Sequence, residues 1–152
     1  MAQVGYFTVA HTGTQYWRKH HFGELGERWV DVGQPGDLAF AHCNLRHEAA
    51  IAAFNGEIVT TWRDPLKTAV SWYARGKFDR GYQQWRDAWR IWREHVRPRA
   101  SVVLLMNEAT EAPINSVRHN SLAHYLYDIG DLDGLLKLID ANEVAEVERT
   151  CL

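Results

Sequence analysis

Apolar residues gather into four short runs along this chain, each bounded by polar or turn-forming residues: 5–10 (GYFTVA), 37–41 (DLAFA), 57–62 (EIVTTW) and 101–106 (SVVLLM). Runs of this length and composition predict buried strands. The fourth is apolar almost throughout, as expected of a strand covered on both sheet faces. Between the runs the spacing changes to a helical period. It predicts helices at 14–22, 45–54, 66–73 and 79–96, and two more from residue 121 onward, divided around Gly130-Asp131. Strand alternating with helix predicts βαβ crossovers. The expected fold is therefore α/β, a mostly parallel sheet of about four strands with helices on both faces.

The 152 residues contain no repeat, low-complexity tract or Gly/Ser/Pro linker, and one domain over 1–152 is expected. With 46% hydrophobic and 24% charged residues the composition is that of an ordinary globular protein. Charge narrows the function classes: 17 Lys+Arg against 19 Asp+Glu leave a formal net charge of −2. A general nucleic-acid binder needs a basic excess to displace counterions, so that class is disfavoured. No apolar run approaches the roughly 18 residues of a membrane span. The first residues, Met1-Ala-Gln-Val-Gly, lack the plan of a secretory signal, and Cys43 and Cys151 are too few for a disulfide framework. These features predict a cytoplasmic protein.

Ligands of parallel sheets bind beyond the carboxyl ends of the strands, so the residues after each run are the candidates. After the first run, His11-Thr12-Gly13-Thr14-Gln15 opens a helix. Such a turn can present backbone N–H groups to an anion, although Thr14 could equally serve only to cap the helix. It is not a Walker A loop, since it has neither that spacing nor a Lys. After the second run stands His42, a candidate general base or a structural histidine bonded to a carbonyl. After the third comes Arg63-Asp64-Pro65, then a helix carrying Ser71 about two turns on. Arg suits bidentate phosphate contact; the plainer alternative is an Arg–Asp surface pair at a helix start.

In combination, VAHTGTQYW at 9–17, LAFAHCNL at 38–45 and IVTTWRDPLKTAVSWY at 58–73 resemble the sulfotransferases that use 3′-phosphoadenosine-5′-phosphosulfate (PAPS). The resemblance spans about residues 4–110, and the third segment is its most specific part. It implies a P-loop-like three-layer fold and sulfuryl transfer from PAPS to a hydroxyl or amine of a small-molecule, glycan or peptide acceptor, releasing PAP. By the same resemblance, Thr12, Gly13, Thr14 and Gln15 would hold the 5′-phosphosulfate, Arg63 and Ser71 the 3′-phosphate, and His42 would take the acceptor proton. His11 stands where relatives carry the Lys or Arg that neutralises the leaving phosphate, which makes it both a catalytic and a cofactor-binding candidate. Arg118 is the candidate for a further cation supplied by a C-terminal loop in many relatives. The alternative is a catalytically inactive relative that serves as a nucleotide-binding or assembly protein.

Other features have plainer readings. Tyr82, Trp85, Trp89 and Trp92 share one helical face, as expected of core or of a helix-mediated homodimer interface. Arg86, Arg90, Arg93 and Arg97 form a neighbouring basic stripe, read as a solvated face or an anion-binding rim. The 8 histidines show no HExxH or zinc spacing, so no metal is expected. Cys43 follows His42 on an extended segment and points away from it, against a thiol–imidazole pair. Glu108, just past the fourth run, is read as a structural carboxylate, the alternative being a second acid/base.

Overall fold

A computed structural model of the chain describes residues 3–74, 78–106 and 122–151, without the side chains of 78–82, 150 and 151. Glu108 and Arg118, and the side chain of Tyr82, lie outside the described residues.

The architecture is α/β, and the described residues form five parallel strands in the order β2-β3-β1-β4-β5. The strands are β1 (Val4–Thr8), β2 (Trp29–Asp31), β3 (Leu38–His42), β4 (Glu57–Trp62) and β5 (Ala100–Leu105). Four match the predicted runs within one to two residues. The additional strand, β2, has only three residues and lies at the sheet edge beside β3, with Trp29 opposite Leu38. Its WVD sequence is too short to show an alternating pattern.

Side chains alternate across the sheet and feed two cores. Tyr6, Leu38 and Val59 face α1 (Thr14–His20) and a following 3₁₀ segment, Gly23–Arg28, where Trp17, Phe22 and Leu25 cover them. Phe7, Val9, Ala41 and Ile58 face the larger layer. That layer holds α2 (Glu48–Ala53), α3 (Pro65–Ala74), α4 (Phe78–Ile91), α5 (Leu122–Asp128), α6 (Leu132–Leu138) and α7 (Ala141–Cys151). Both faces of the sheet are covered, which explains why its strands read as continuous apolar runs.

The predicted helix 79–96 is α4 followed by a π-type turn, Trp92–Val96, and a 3₁₀ turn, Arg97–Arg99, that contains Pro98. The C-terminal part forms three helices rather than two. Asp131 caps α6 by accepting from the Gly134 N–H at 2.9 Å, and Asp140 starts α7 by accepting from Asn142 and Glu143. The second break has neither Gly nor Pro, so periodicity alone did not reveal it.

The three tryptophans of the aromatic stripe are core. Trp85 and Trp89 are fully buried and Trp92 nearly so. Indole N–H groups tie the helix to its neighbours, Trp85 donating to Thr68 Oγ1 and Trp92 to Thr60 Oγ1, both at 3.0 Å. Each such ring removes about 200 Å² from water, worth ~5 kcal/mol before entropy is counted. These tryptophans are therefore not an exposed homodimer surface. The arginine stripe is also engaged within the chain: Arg86 pairs with Glu143 and Glu146, Arg90 with Glu48 and Glu94, and Arg93 with Glu94. Arg97 lies in the 3₁₀ turn beyond α4. Among the described residues no helix is long and apolar enough to cross a membrane.

Candidate functional site

The chain leaves β1 toward the β3 side of the sheet and leaves β4 toward β5. The carboxyl ends of β1 and β4 thus flank a topological switch point, where a crevice opens in parallel sheets. The turn after β1 runs into it. Gly13 adopts a left-handed conformation (φ 83°) as the N-cap residue of α1, with Thr14 the first helical residue. Among the described residues no side chain caps α1 there, so Thr14 is not the cap. A Cβ on Gly13 would lie 3.0 Å from Met106 Sδ and 3.3 Å from Trp17 Cδ1, a tight fit, and the positive φ is what favours glycine here.

His11 is the one described non-glycine residue with positive φ (68°), a conformation that costs roughly 1 kcal/mol for an L side chain. Contacts from β4 and α3 hold it there. Arg63 Nη1 donates to the His11 carbonyl at 3.2 Å, and His11 Nδ1 lies 2.8 Å from Ser71 Oγ. The Trp72 indole donates to the Ala10 carbonyl at 3.3 Å, and its ring packs 5.5 Å from that of His11. Helix α3 thus turns back toward the first turn, and Arg63, at 6% exposure, is buried rather than on the surface. Its neighbour Asp64 starts α3 by accepting from the Leu66 N–H at 3.0 Å.

Thr12 faces inward. Its buried hydroxyl donates to the Val9 carbonyl at 2.6 Å and meets Thr61 Oγ1 at 2.5 Å. The hydroxyl is therefore engaged within the chain. Gln15 is exposed on the first turn of α1. On the other side of β1, His42 ends β3 directly opposite Thr8. His42 Nδ1 lies 3.4 Å from Thr8 Oγ1, which also contacts Thr14 Oγ1 at 2.9 Å. The Tyr6 hydroxyl donates to the Thr14 carbonyl at 2.9 Å. Burial pushes that phenol well above its usual range, so it stays protonated as a donor.

Seven of the eight residues singled out from the sequence thus join two linked clusters around one turn. His11, Arg63 and Ser71 lie on the β4–α3 side, Thr14 and His42 on the β3 side, and Thr12 and Gly13 form the turn between them. The supporting residues Thr8, Thr61 and Trp72 escaped sequence reasoning. For Thr8 and Thr61 the signal was a polar side chain near the end of an otherwise apolar strand, where a buried hydroxyl requires a partner; Trp72, within α3, gave none.

Cys43 is buried, and burial pushes its thiol above the usual range, which removes the thiolate needed by a nucleophile. One group of potential metal ligands occurs among the described residues, Glu48, Glu94 and His95. Arg90 already places its guanidinium on both glutamates, supplying the positive charge that a cation would bring. No family model matches this chain, and no curated protein matches it in sequence.

Proposed function

We propose that this chain is a PAPS-dependent sulfotransferase acting on a hydroxyl or amine. The observation that carries the reading is the meeting of three distant segments around one turn: Arg63 on the His11 carbonyl at 3.2 Å, Ser71 on His11 Nδ1 at 2.8 Å, and His42 linked through Thr8 to Thr14. A guanidinium, two imidazoles, two hydroxyls and the N–H groups of a glycine turn form a donor set suited to a ligand with phosphate at both ends.

When bound, PAPS supplies an electrophilic sulfur carried on a phosphate leaving group. Arg63 and Ser71 would hold the 3′-phosphate end, and the backbone of Thr12, Gly13 and Gln15, with the Thr14 hydroxyl, would hold the 5′ end. His42 would take the acceptor proton. His11 would stabilise the leaving phosphate as a donor, or as a cation where a phosphate favours its charged form. The residues supply mostly position and fixed dipoles, as in phosphoryl transfer.

PAP, the desulfated product, tests this directly. It is expected to raise the melting temperature of the wild type, and Arg63→Ala should abolish that shift. His42→Ala should keep the shift and lose turnover. A wild-type melting curve unmoved by millimolar PAP would exclude the cofactor, and full activity in His42→Ala would exclude the base.

A second reading is a nucleotide-binding relative without transfer activity. It is favoured by His11, which stands in place of a fixed cation and already bonds Ser71. Tight PAP binding with no transfer to a broad acceptor panel distinguishes it.

A further inference from the structure

We infer that Thr61 is a positioning residue for the turn after β1: its hydroxyl, donated to Thr12, holds that turn in the conformation that receives the ligand. The inference deepens the reading above and rests on it for what the turn binds.

Pairing of β1 with β4 runs from Val4–Glu57 to Tyr6–Val59. Past that last pair, hydroxyls from the next two residues of β4 reach carbonyls of the chain leaving β1. Thr60 Oγ1 donates to the Phe7 carbonyl at 2.6 Å. Thr61 reaches the Val9 carbonyl through Thr12, whose Oγ1 lies 2.5 Å from Thr61 Oγ1 and 2.6 Å from the Val9 oxygen. All three threonines are fully buried. A hydroxyl has one proton, and a carbonyl has none to give. The Thr12 proton therefore goes to Val9, and Thr61 donates to Thr12.

Three successive carbonyls of this segment are held by side chains: Val9 by Thr12, Ala10 by the Trp72 indole at 3.3 Å, and His11 by Arg63 at 3.2 Å. Each peptide is planar, so a fixed carbonyl also fixes the N–H of the next residue, here Ala10, His11 and Thr12. The segment includes the positive φ of His11, and a strained residue persists only where its surroundings over-determine it. Arg63 follows β4 and Trp72 lies on α3, so two of the three donors are anchored outside the turn. Thr12 belongs to the turn itself, and the bond from Thr61 anchors it to the sheet. Without that bond the Thr12 hydroxyl is no longer tied to β4, and the strained backbone is secured from outside at two carbonyls instead of three. A turn that spends less time in its binding-competent form raises the apparent Kd by the same factor.

The probe is PAP. Thr61→Val removes the hydroxyl at nearly constant shape and should raise the Kd for PAP about 5-fold, the equivalent of one net hydrogen bond. Thr61→Ser should restore the affinity, and Thr61→Ala is read in place of valine if that variant fails to fold. Thr60→Val is the control for lost stability. Thr60 Oγ1 also accepts from the Trp92 indole at 3.0 Å, so this change breaks more bonds but none in the turn. It should lower the urea midpoint at least as far as Thr61→Val and leave the Kd for PAP unchanged.

An unchanged Kd in Thr61→Val, no recovery in Thr61→Ser, or an equal loss in Thr60→Val overturns the inference while the cofactor assignment stands. If wild type does not bind PAP, the assignment fails, and amide hydrogen exchange on the ligand-free protein decides about Thr61. The Trp17 N–H donates to the Gly13 carbonyl at 2.9 Å and reports on the turn; the Cys43 N–H donates to the Thr8 carbonyl at 2.8 Å and reports on the sheet. Exchange in Thr61→Val that is faster at Trp17 and unchanged at Cys43 supports the role of Thr61, because the opening is then local. Equal effects at both amides, or none, overturn it.

Discussion

Glu48 offers a quantitative test of how the helical layer is held together. Its carboxylate, at the start of α2, receives Arg90 of α4 through two bonds, Nη1 to Oε2 at 2.9 Å and Nη2 to Oε1 at 3.0 Å. His95 Nε2 lies 3.0 Å from Oε2. The Arg90 bonds, followed by the His95 contact, lower the Glu48 pKa from 4.5 to about 2. Taken in full, that difference corresponds to ~3 kcal/mol. The side chains of Glu48, Arg90 and His95 remain 26%, 36% and 29% exposed, however. Solvent screening and lost side-chain freedom reduce the expected contribution to ~1 kcal/mol. Because the folded-state pKa is depressed, this stability is present above 4.5 and is lost as pH falls through the interval down to about 2. Urea unfolding of wild type and Glu48→Gln should therefore differ by ~1 kcal/mol at neutral pH, and the gap should close progressively below pH 4.5. High salt should narrow it as well, since the cluster is partly exposed. A gap that stays constant from neutral pH to pH 3 would show that the carboxylate's charge contributes nothing, and the ion-pair account of the α2–α4 contact would have to be abandoned.

Two further predictions concern the turn itself. Gly13→Ala forces a side chain into a φ of 83° and against Met106, so it should lower stability by ~1–2 kcal/mol and shrink the PAP response; an unchanged melting temperature would mean that the turn does not hold this conformation in solution. At His11, with φ 68°, Asn should be accommodated while Val should cost ~1–2 kcal/mol more, because β-branched residues rarely adopt that backbone. Equal urea midpoints for these two variants would count against the strained backbone.

Much of this molecule follows from local pattern. The apolar runs ending at residues 10, 41, 62 and 106 identify four of the five strands because side-chain burial on both sheet faces leaves a continuous apolar signature over a few residues. The rule that ligands sit beyond strand carboxyl ends then directs attention to His11, His42 and Arg63 without any knowledge of strand order. Local pattern failed where an element was very short, as at β2, or where a helix was broken by an aspartate cap alone, as at Asp140.

The neighbours across the fold lay beyond the reach of sequence. Arg63 meets a carbonyl 52 residues away, and Ser71 meets a ring 60 residues away, because the order β2-β3-β1-β4-β5 sets β4 beside β1 and α3 folds back over the turn between them. That same order put Thr8 against His42 and turned the Thr12 hydroxyl inward. The tryptophan and arginine stripes were visible as periodicities, yet only packing showed one to be core and the other to be matched by Glu48, Glu143 and Glu146 from other helices. Periodicity records which side of an element avoids water. What that side touches is decided by how all the elements close together, since burial energy depends on area and is nearly indifferent to the identity of the partner.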